Sequence, residues 1–335
     1  MGSDSHYEIP TIEFSTCSAK LDRGTEKWFS LCKRVREACE NYGFFEVVYD
    51  KIPVEFRAEV FSVTREFYSL PLETKKKNVN PKSFHGYYGQ FPQAPLYESF
   101  AIEDASNYES LTSFTHQMWS DGHDQFSTPC FFDFDLFRYD SNTMRGMVNK
   151  LDELKEMIDL MIRDSYGLGE NPDSIMPSKT KIRVQKYSAP PSGEYMNGLN
   201  AHTDKQWTAI LCDNQVSGLE FETKDRSQWL KLYLPPTSFV FIVGDSLMAW
   251  SNGRMHSVKH RVMMCGEKER YSFGVFGIPV EGTIIKAPKE LVDEEHPQLF
   301  KDFEYMDFTK FSTSKETMAS MESAVHIWAF AGISS

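Results

Sequence analysis

The chain has 335 residues, 41% hydrophobic and 25% charged, a balance that fits a folded globular protein and excludes a disordered or fibrous one. That length buries a sizeable core, as one large domain or as a core with a helical annex. Its 36 Lys and Arg stand against 48 Asp and Glu, a formal net charge of -12, so a phosphate-binding surface would work against the field and nucleic acid is not expected as a partner.

In chain order, IPTIEFS (9–15) reads as a short strand. TEKWFSLCKRVREACENYG (25–43) places Trp28, Phe29, Leu31, Val35 and Ala38 at roughly helical spacing, with Gly43 as the stop. FFEVVYD (44–50) is a second strand, and PVEFRAEVFSVTREFYSLPLETKKK (53–77) holds a second amphipathic helix that ends at Pro71. NPKSFHGYYGQFPQAPLYESFAIED (80–104), rich in Gly, Pro and aromatics, reads as a loop. TMRGMVNKLDELKEMIDLMIRDSYGLG (143–169) is the longest helical pattern, closed by Gly167 and Gly169.

From about residue 180 the texture changes to short β-rich segments: KIRVQKYSA, TAILCD, GLEFET, WLKLYL, SFVFIVG, SVKHRVMM and YSFGVFGI. Turn signals at Ser217-Gly218, Pro235-Pro236 and Gly244-Asp245 divide them. Such spacing predicts an antiparallel barrel or sandwich, and the tail SKETMASMESAVHIWAFAG (314–332) returns to helix. The expected fold is mixed α/β with a mainly antiparallel core, a double-stranded β-helix or jelly roll flanked by N-terminal helices and a C-terminal helix. Residues 1–175 form the packing region and 176–335 the core, working as one unit.

The opening MGSDSHYEIP carries no apolar signal core, and His6 stands where a myristoylation signal needs Ser or Thr. The longest apolar runs, such as FVFIV (239–243), are too short to span a bilayer, so no membrane partner is expected. The six cysteines, 17, 32, 39, 130, 212 and 265, contain no CxxC pair, and Cys32 and Cys39 lie seven apart within one helix as core residues. Free thiols in a reducing, cytoplasmic setting are the simplest account.

Three stretches carry chemistry. NAHTDKQWTAIL (200–211) places His202 and Asp204 two apart, so on a strand both side chains leave one face, a half-site for a divalent metal. Alone, HxD is weak, because such a pair is more often a hydrogen-bonded surface pair. SNGRMHSVKHRV (251–262) offers a third ligand in His256 or His260, which share a face in a strand or a helix alike. Spacing does not choose between them. Either completes the 2-His-1-carboxylate triad of non-haem Fe(II) oxygenases, and catalytic zinc takes the same ligands. ERYSFGVF (269–276) sets Arg270 and Ser272 two apart on a strand. An arginine inside a barrel needs an anion, and its planar fork suits a carboxylate, either an internal acid or a co-substrate, with the Tyr187 hydroxyl as a further donor.

Together these residues resemble the plant 2-oxoglutarate- and Fe(II)-dependent dioxygenases. That family's signature is HxD, then SNGxxxSxxHRV with its histidine roughly 55 residues later, then RxS ten residues on. Here HTD (202–204), SNGRMHSVKHRV and RYS (270–272) match, with His202 and His260 separated by 260 − 202 = 58 positions. IPTIEFS and ENYGFFEVV extend the likeness to the N-terminal region. FHGYYGQFPQAPLYESFAIED and PKELVDEEHPQLFKDFEYMDF look most similar to the branch named for glucosinolate side-chain (alkenyl- and hydroxyalkyl-producing) enzymes. One departure stands at Gln185-Lys186-Tyr187-Ser188, where many relatives carry Asn-Tyr-Tyr-Pro.

The resemblance implies the roles. His202, Asp204 and His260 hold Fe(II), and His256 falls at a variable position. Arg270, Ser272 and Tyr187 hold the far carboxylate of 2-oxoglutarate. O2 is the other co-substrate, ascorbate is supportive, and a small plant metabolite is hydroxylated, desaturated, demethylated or cyclised with release of succinate and CO2. Arg183, Phe276 and Phe114 fall where relatives line the substrate pocket, although each Phe could equally be core. The C-terminal helix with Trp328 and Phe330 either closes over the site or simply packs. A monomer is expected. The rival readings are a same-fold Fe(II) oxidase without 2-oxoglutarate, a zinc-dependent non-redox enzyme, and a non-catalytic binding protein.

Overall fold

The computed structural model describes residues 8–80, 85–91, 94–123 and 143–333. A single turn, α1 (Ala19–Asp22), precedes α2 (Glu26–Asn41). Thr25 caps α2 by accepting the Trp28 N–H, and Trp28, Leu31, Cys32, Val35, Ala38 and Cys39 form its buried face. The chain leaves the helix through Gly43 at φ 77, where a Cβ would meet the His256 carbonyl oxygen at 2.2 Å. Only glycine allows that turn at that approach. β2 (Phe44–Val48) then lies between β1 (Thr11–Glu13), parallel to it, and β10 (Ser238–Val243), antiparallel.

α3 (Val54–Ser69) stops one residue short of the Leu70-Pro71 bond, with Leu70 already extended as proline demands of its predecessor. A turn, α4 (Leu72–Lys75), follows. The stretch 80–104 is not a loop: its described part holds the hairpin of β3 (Tyr88–Phe91) and β4 (Ala94–Ile102). β4 is buried on both faces over most of its length, so it lacks the polar–apolar alternation that announces a half-buried strand. α5 (Tyr108–Met118), capped by the Asn107 side chain, was not anticipated, whereas the long α6 (Thr143–Ser165) was. Cys130 lies outside the described residues; the other five cysteines are free thiols.

The second half supplies β5 (Ser178–Tyr187), β6 (Met196–His202), β7 (Thr208–Asp213), β8 (Leu219–Glu222), β9 (Trp229–Lys231), β11 (His260–Met264) and β12 (Arg270–Pro279). A short helix, α7 (Asp245–Trp250), replaces the expected Gly244-Asp245 turn; all six of its residues are buried, so no amphipathic stripe betrays it. A two-stranded pairing of β13 (Ile284–Ile285) with β14 (Phe303–Glu304) leads into three short helices, α8 (Tyr305–Ser312), α9 (Lys315–Ser320) and α10 (His326–Ala331).

Two sheets make the core, one ordered β1-β2-β10-β7-β12-β5-β4-β3 and one ordered β6-β11-β8-β9. Every pairing within them is antiparallel except β1 with β2. The fold is the expected mixed α/β jelly roll, and its larger sheet takes strands from both sides of residue 175. Glycines let the sheets approach: a Cβ at Gly198 would come within 3.0 Å of the Tyr187 ring, and one at Gly218 within 3.1 Å of the Arg270 side chain.

Unbroken register fixes the two faces of the larger sheet. Arg270, Ser272, Gly274 and Phe276 of β12 pair with Tyr187, Gln185, Arg183 and Lys181 of β5, so these eight share the face turned to the smaller sheet. Phe100 of β4 pairs with Val184 and therefore points the other way, where it packs on Phe67 of α3 at 3.9 Å between ring centroids. The helices cover an apolar outer face; the inner face mixes the charged and polar residues of β5 and β12 with apolar ones such as Phe44, Ile242 and Phe276.

Gly43→Ala combines positive φ with a backbone clash, and it should lower stability by at least about 2 kcal/mol. The urea midpoint measures this, and an unchanged midpoint would contradict the close approach described.

Candidate active site

β6 and β11 are neighbours, and their register places His260 directly opposite His202. The HxD pair does not share a strand as expected: β6 ends at His202, and Asp204 sits in the loop beyond. The loop nonetheless returns its carboxylate, with Asp204 Oδ1 4.0 Å from His202 Nε2. His202, Asp204 and His260 each offer a ligand atom within 4.8 Å of the others.

Local hydrogen bonds aim the two rings. His202 Nδ1 lies 2.8 Å from Asn200 O and His260 Nδ1 3.2 Å from Val258 O. A carbonyl only accepts, so each Nδ1 carries the proton and each Nε2 keeps a lone pair for the centre. Burial, and then neighbouring His260, push the His202 ring down to about 4, so it is neutral near pH 7. Phe221, itself stacked on Phe44 at 3.8 Å, backs the His260 ring at 5.7 Å. Asp204 Oδ2 is buried with no hydrogen-bond partner among the described residues. Two imidazoles and an orphaned carboxylate oxygen fit a divalent cation.

Asp245, at the start of α7 and 0% exposed, ties the ligand-bearing segments together. Its N–H donates to Asp204 O (2.7 Å), and its carboxylate accepts from Thr203 Oγ1 (3.2 Å), Lys205 Nζ (2.8 Å) and Ser257 Oγ (2.5 Å). From the C-terminal region Ser323 joins the same network: its hydroxyl accepts from Thr203 N–H (3.2 Å) and its carbonyl from Lys205 Nζ (2.8 Å). Sequence reading missed Asp245, since Gly-Asp is also an ordinary turn signal.

His256 stands apart. Its N–H donates to Cys39 O at 2.9 Å on the α2 side, and Lys224 and Arg226 are the cations its ring senses. Geometry therefore groups His260 with the triad and leaves His256 out.

The second constellation gathers where Arg270 opens β12. Arg270 is buried, its Nη2 3.2 Å from Asp213 Oδ2 and its guanidinium 5.4 Å from the centroid of the Tyr187 ring. The internal acid weighed as an alternative partner for this arginine thus exists, on β7. It occupies one corner of the fork only: Arg270 Nε has no partner among the described residues. Ser272 Oγ donates to Gln185 Oε1 at 2.7 Å, so Gln185, at the departure from the Asn-Tyr-Tyr-Pro pattern, still supports the serine. Burial raises the Tyr187 phenol and keeps it a proton donor.

Of the candidate pocket residues, Arg183 and Phe276 share the inner face with this clamp. Phe114 does not. It stacks on Phe100 at 5.3 Å under the outer face, in the aromatic core. In the tail, Trp328 packs on Phe300 and Phe330 on Phe303, Phe308 and Phe311, so these rings hold the C-terminal helices together. Two surface clefts of about 390 and 470 Å³ share Ile175 and Met176 and touch none of the triad.

Residues 9–118 match the family described as the N-terminal region of non-haem dioxygenases in morphine synthesis, and residues 179–279 match the 2OG-Fe(II) oxygenase superfamily. A protein of Arabidopsis thaliana named "Probable 2-oxoglutarate-dependent dioxygenase AOP1.2" is 40% identical over 329 residues, 96% of each chain. The chain belongs to the 2-oxoglutarate- and Fe(II)-dependent dioxygenases. The Arabidopsis dioxygenase AOP2 matches at 27% identity over 433 residues, covering 94% of this chain and 96% of its own, and these AOP relatives bear out the branch resemblance. Among solved structures, the 2-oxoglutarate complex of AtDAO1, a dioxygenase for auxin oxidation from Arabidopsis thaliana, is similar at a TM-score of 0.74 and 26% identity, covering 87% of this chain and all of that one. The JOX2 complex with 2OG, Fe and JA shares the fold at a TM-score of 0.68 and 22% identity, covering 96% of this chain and 89% of that one. As a member of this family the protein is an oxidoreductase that uses Fe(II), 2-oxoglutarate and O2.

His260→Ala should abolish Fe(II) binding in anaerobic titration, whereas His256→Ala should bind as the parent does; the reverse pattern would assign the ligand to His256. Asp245→Asn keeps the shape but removes the charge facing Lys205, and Fe(II) affinity should fall roughly tenfold to a hundredfold, the range for lost ligand support.

Proposed function

We propose that His202, Asp204 and His260 hold Fe(II), that Arg270, Ser272 and Tyr187 receive the far carboxylate of 2-oxoglutarate, and that the enzyme oxidises a C–H bond of a small plant specialised metabolite. The observation that carries this reading is the pairing of two orphaned polar atoms: Asp204 Oδ2 at the triad and Arg270 Nε in the clamp. Other buried polar atoms are also unpaired among the described residues, but these two stand on the residues whose chemistry suits a metal ion and a carboxylate, and a bound ligand is one way such atoms are satisfied.

Bound Fe(II) supplies oxidative decarboxylation of 2-oxoglutarate coupled to C–H cleavage. The chain's part is placement and charge. Asn200 O and Val258 O fix the tautomers of His202 and His260. A dication beside one carboxylate leaves a net positive site for the dianionic co-substrate. Asp213 holds one corner of the Arg270 fork and so aims the remaining N–H groups. Gln185 orients the Ser272 hydroxyl.

The two regions, 1–175 and 176–335, work as one unit in this reading, because β4 and β5 are hydrogen-bonded neighbours within one sheet. We place the enzyme in the cytoplasm as a monomer, with ascorbate keeping the iron ferrous; no helix among the described residues is long and apolar enough to cross a membrane.

Arg270→Lys removes the planar fork and should raise KM for 2-oxoglutarate on the order of tenfold to a hundredfold, while Fe(II) affinity is retained. The assay is succinate release with Fe(II) and O2. Turnover of an identified substrate without succinate would point to the oxidase reading, and turnover without O2 to zinc chemistry.

A further inference from the structure

Lys181 sits on β5, opposite Phe276 of β12, on the inner face that also carries Arg183, Gln185 and Tyr187. It is 9% exposed. The protein pairs its other described buried charges. Lys75 meets Glu98 at 2.7 Å, and Lys155 lies between Asp159 at 3.4 Å and Asp152 at 3.8 Å. Arg57 donates to the Pro236, Ser238 and Asp213 carbonyls. Glu220 accepts from Arg261, Asp213 from Arg270, and Asp245 from Lys205. Lys181 is the exception: among the described residues its Nζ has no hydrogen bond or ion pair, only the Phe276 ring with its centroid 6.0 Å away.

We propose that Lys181 holds a carboxylate of the oxidised substrate, which makes that substrate a small organic acid. The inference rests on the site assigned under Proposed function, since it places Lys181 outside the co-substrate clamp and in the half of β12 where the Asp204 loop is held. The Trp207 N–H donates to Gly277 O at 3.0 Å, which ties the segment after Asp204 to the strand next to Phe276, the residue paired with Lys181. Tyr187 lies six positions along the strand from Lys181, about 20 Å at a rise of about 3.3 Å per residue, so Lys181 is not part of the clamp.

A largely buried side chain that ends in an unpaired ammonium is stabilised by an arriving anion. Burial, and then Arg183, push the Lys181 amine down to about 7, with Glu103 and Asp204 opposing. Glu103 is already engaged by the His85 ring, so it does not replace a ligand at Lys181. The Phe276 ring beneath the ammonium adds cation–π attraction and gives the carbon skeleton of an acid an apolar wall.

The test uses the full chain loaded with Fe(II) and 2-oxoglutarate under anaerobic conditions, with calorimetric titration of phenylacetate, 3-phenylpropionate and cyclohexylacetate, each beside its primary amide. At least one acid should bind ten times or more tighter than its amide. Lys181→Met should erase that preference, Lys181→Arg should restore part of it, and 2-oxoglutarate affinity in Lys181→Met should stay within about twofold of the parent. Equal binding of acid and amide, no binding by any of the three acids, or loss of 2-oxoglutarate affinity in Lys181→Met would each overturn the assignment. Failure of the parent chain to bind 2-oxoglutarate at all is a separate result, and it would sink the site reading itself.

Discussion

A carboxylate wholly removed from solvent, that of Asp245, holds the segments bearing His202, Asp204 and His260 in one piece. Strand pairing sets His202 opposite His260, but Asp204 stands in a loop that backbone pairing does not fix. Asp245 closes the triangle with its own N–H on Asp204 O and with its carboxylate on Thr203, Lys205 and Ser257. The network is satisfied at each of these contacts, the condition under which a buried polar cluster rigidifies a fold instead of weakening it. Lys205 supplies the countercharge that makes the burial tolerable.

The larger sheet divides its two faces sharply. Its outer side is a hydrocarbon and aromatic surface beneath α2, α3 and α6, where residues such as Phe67, Phe100 and Phe114 are buried against one another. Each fully buried aromatic of this kind contributes roughly 1.5–3 kcal/mol. Its inner side carries Arg270, Arg183, Lys181 and Asp213 beside an apolar patch of Phe44, Ala209, Val240 and Ile242. The outer layer stabilises the fold, and the inner layer is free to serve the ligands. Leu211, Arg183 and Gln185 remain partly exposed in mid-strand, as expected where the sheets enclose an open space.

Much of this was legible in the residues. TAILCD became β7 with its ends unchanged, and the two-residue spacing of Arg270 and Ser272 marked one strand face correctly. The two histidines of SNGRMHSVKHRV could not be told apart by periodicity, since a separation of four returns to the same face in either regular structure. The structure separates them by environment: His260 is drawn into β11 and His256 stays beside Cys39. What eluded sequence reading shares a physical cause. β4 and α7 are buried on nearly all sides and so lack a polar stripe, and Asp213 and Asp245 matter through partners remote in sequence. Phe114 failed as a pocket residue because a hydrophobic side chain does not record which side of a sheet it covers.

The link between Ser323 and Thr203 spans 120 positions. During synthesis the ribosome delivers the HTD segment long before the serine that moors it. The loop therefore waits, incompletely held, until Ser323 reaches it, and this mooring is a late, long-range step of folding.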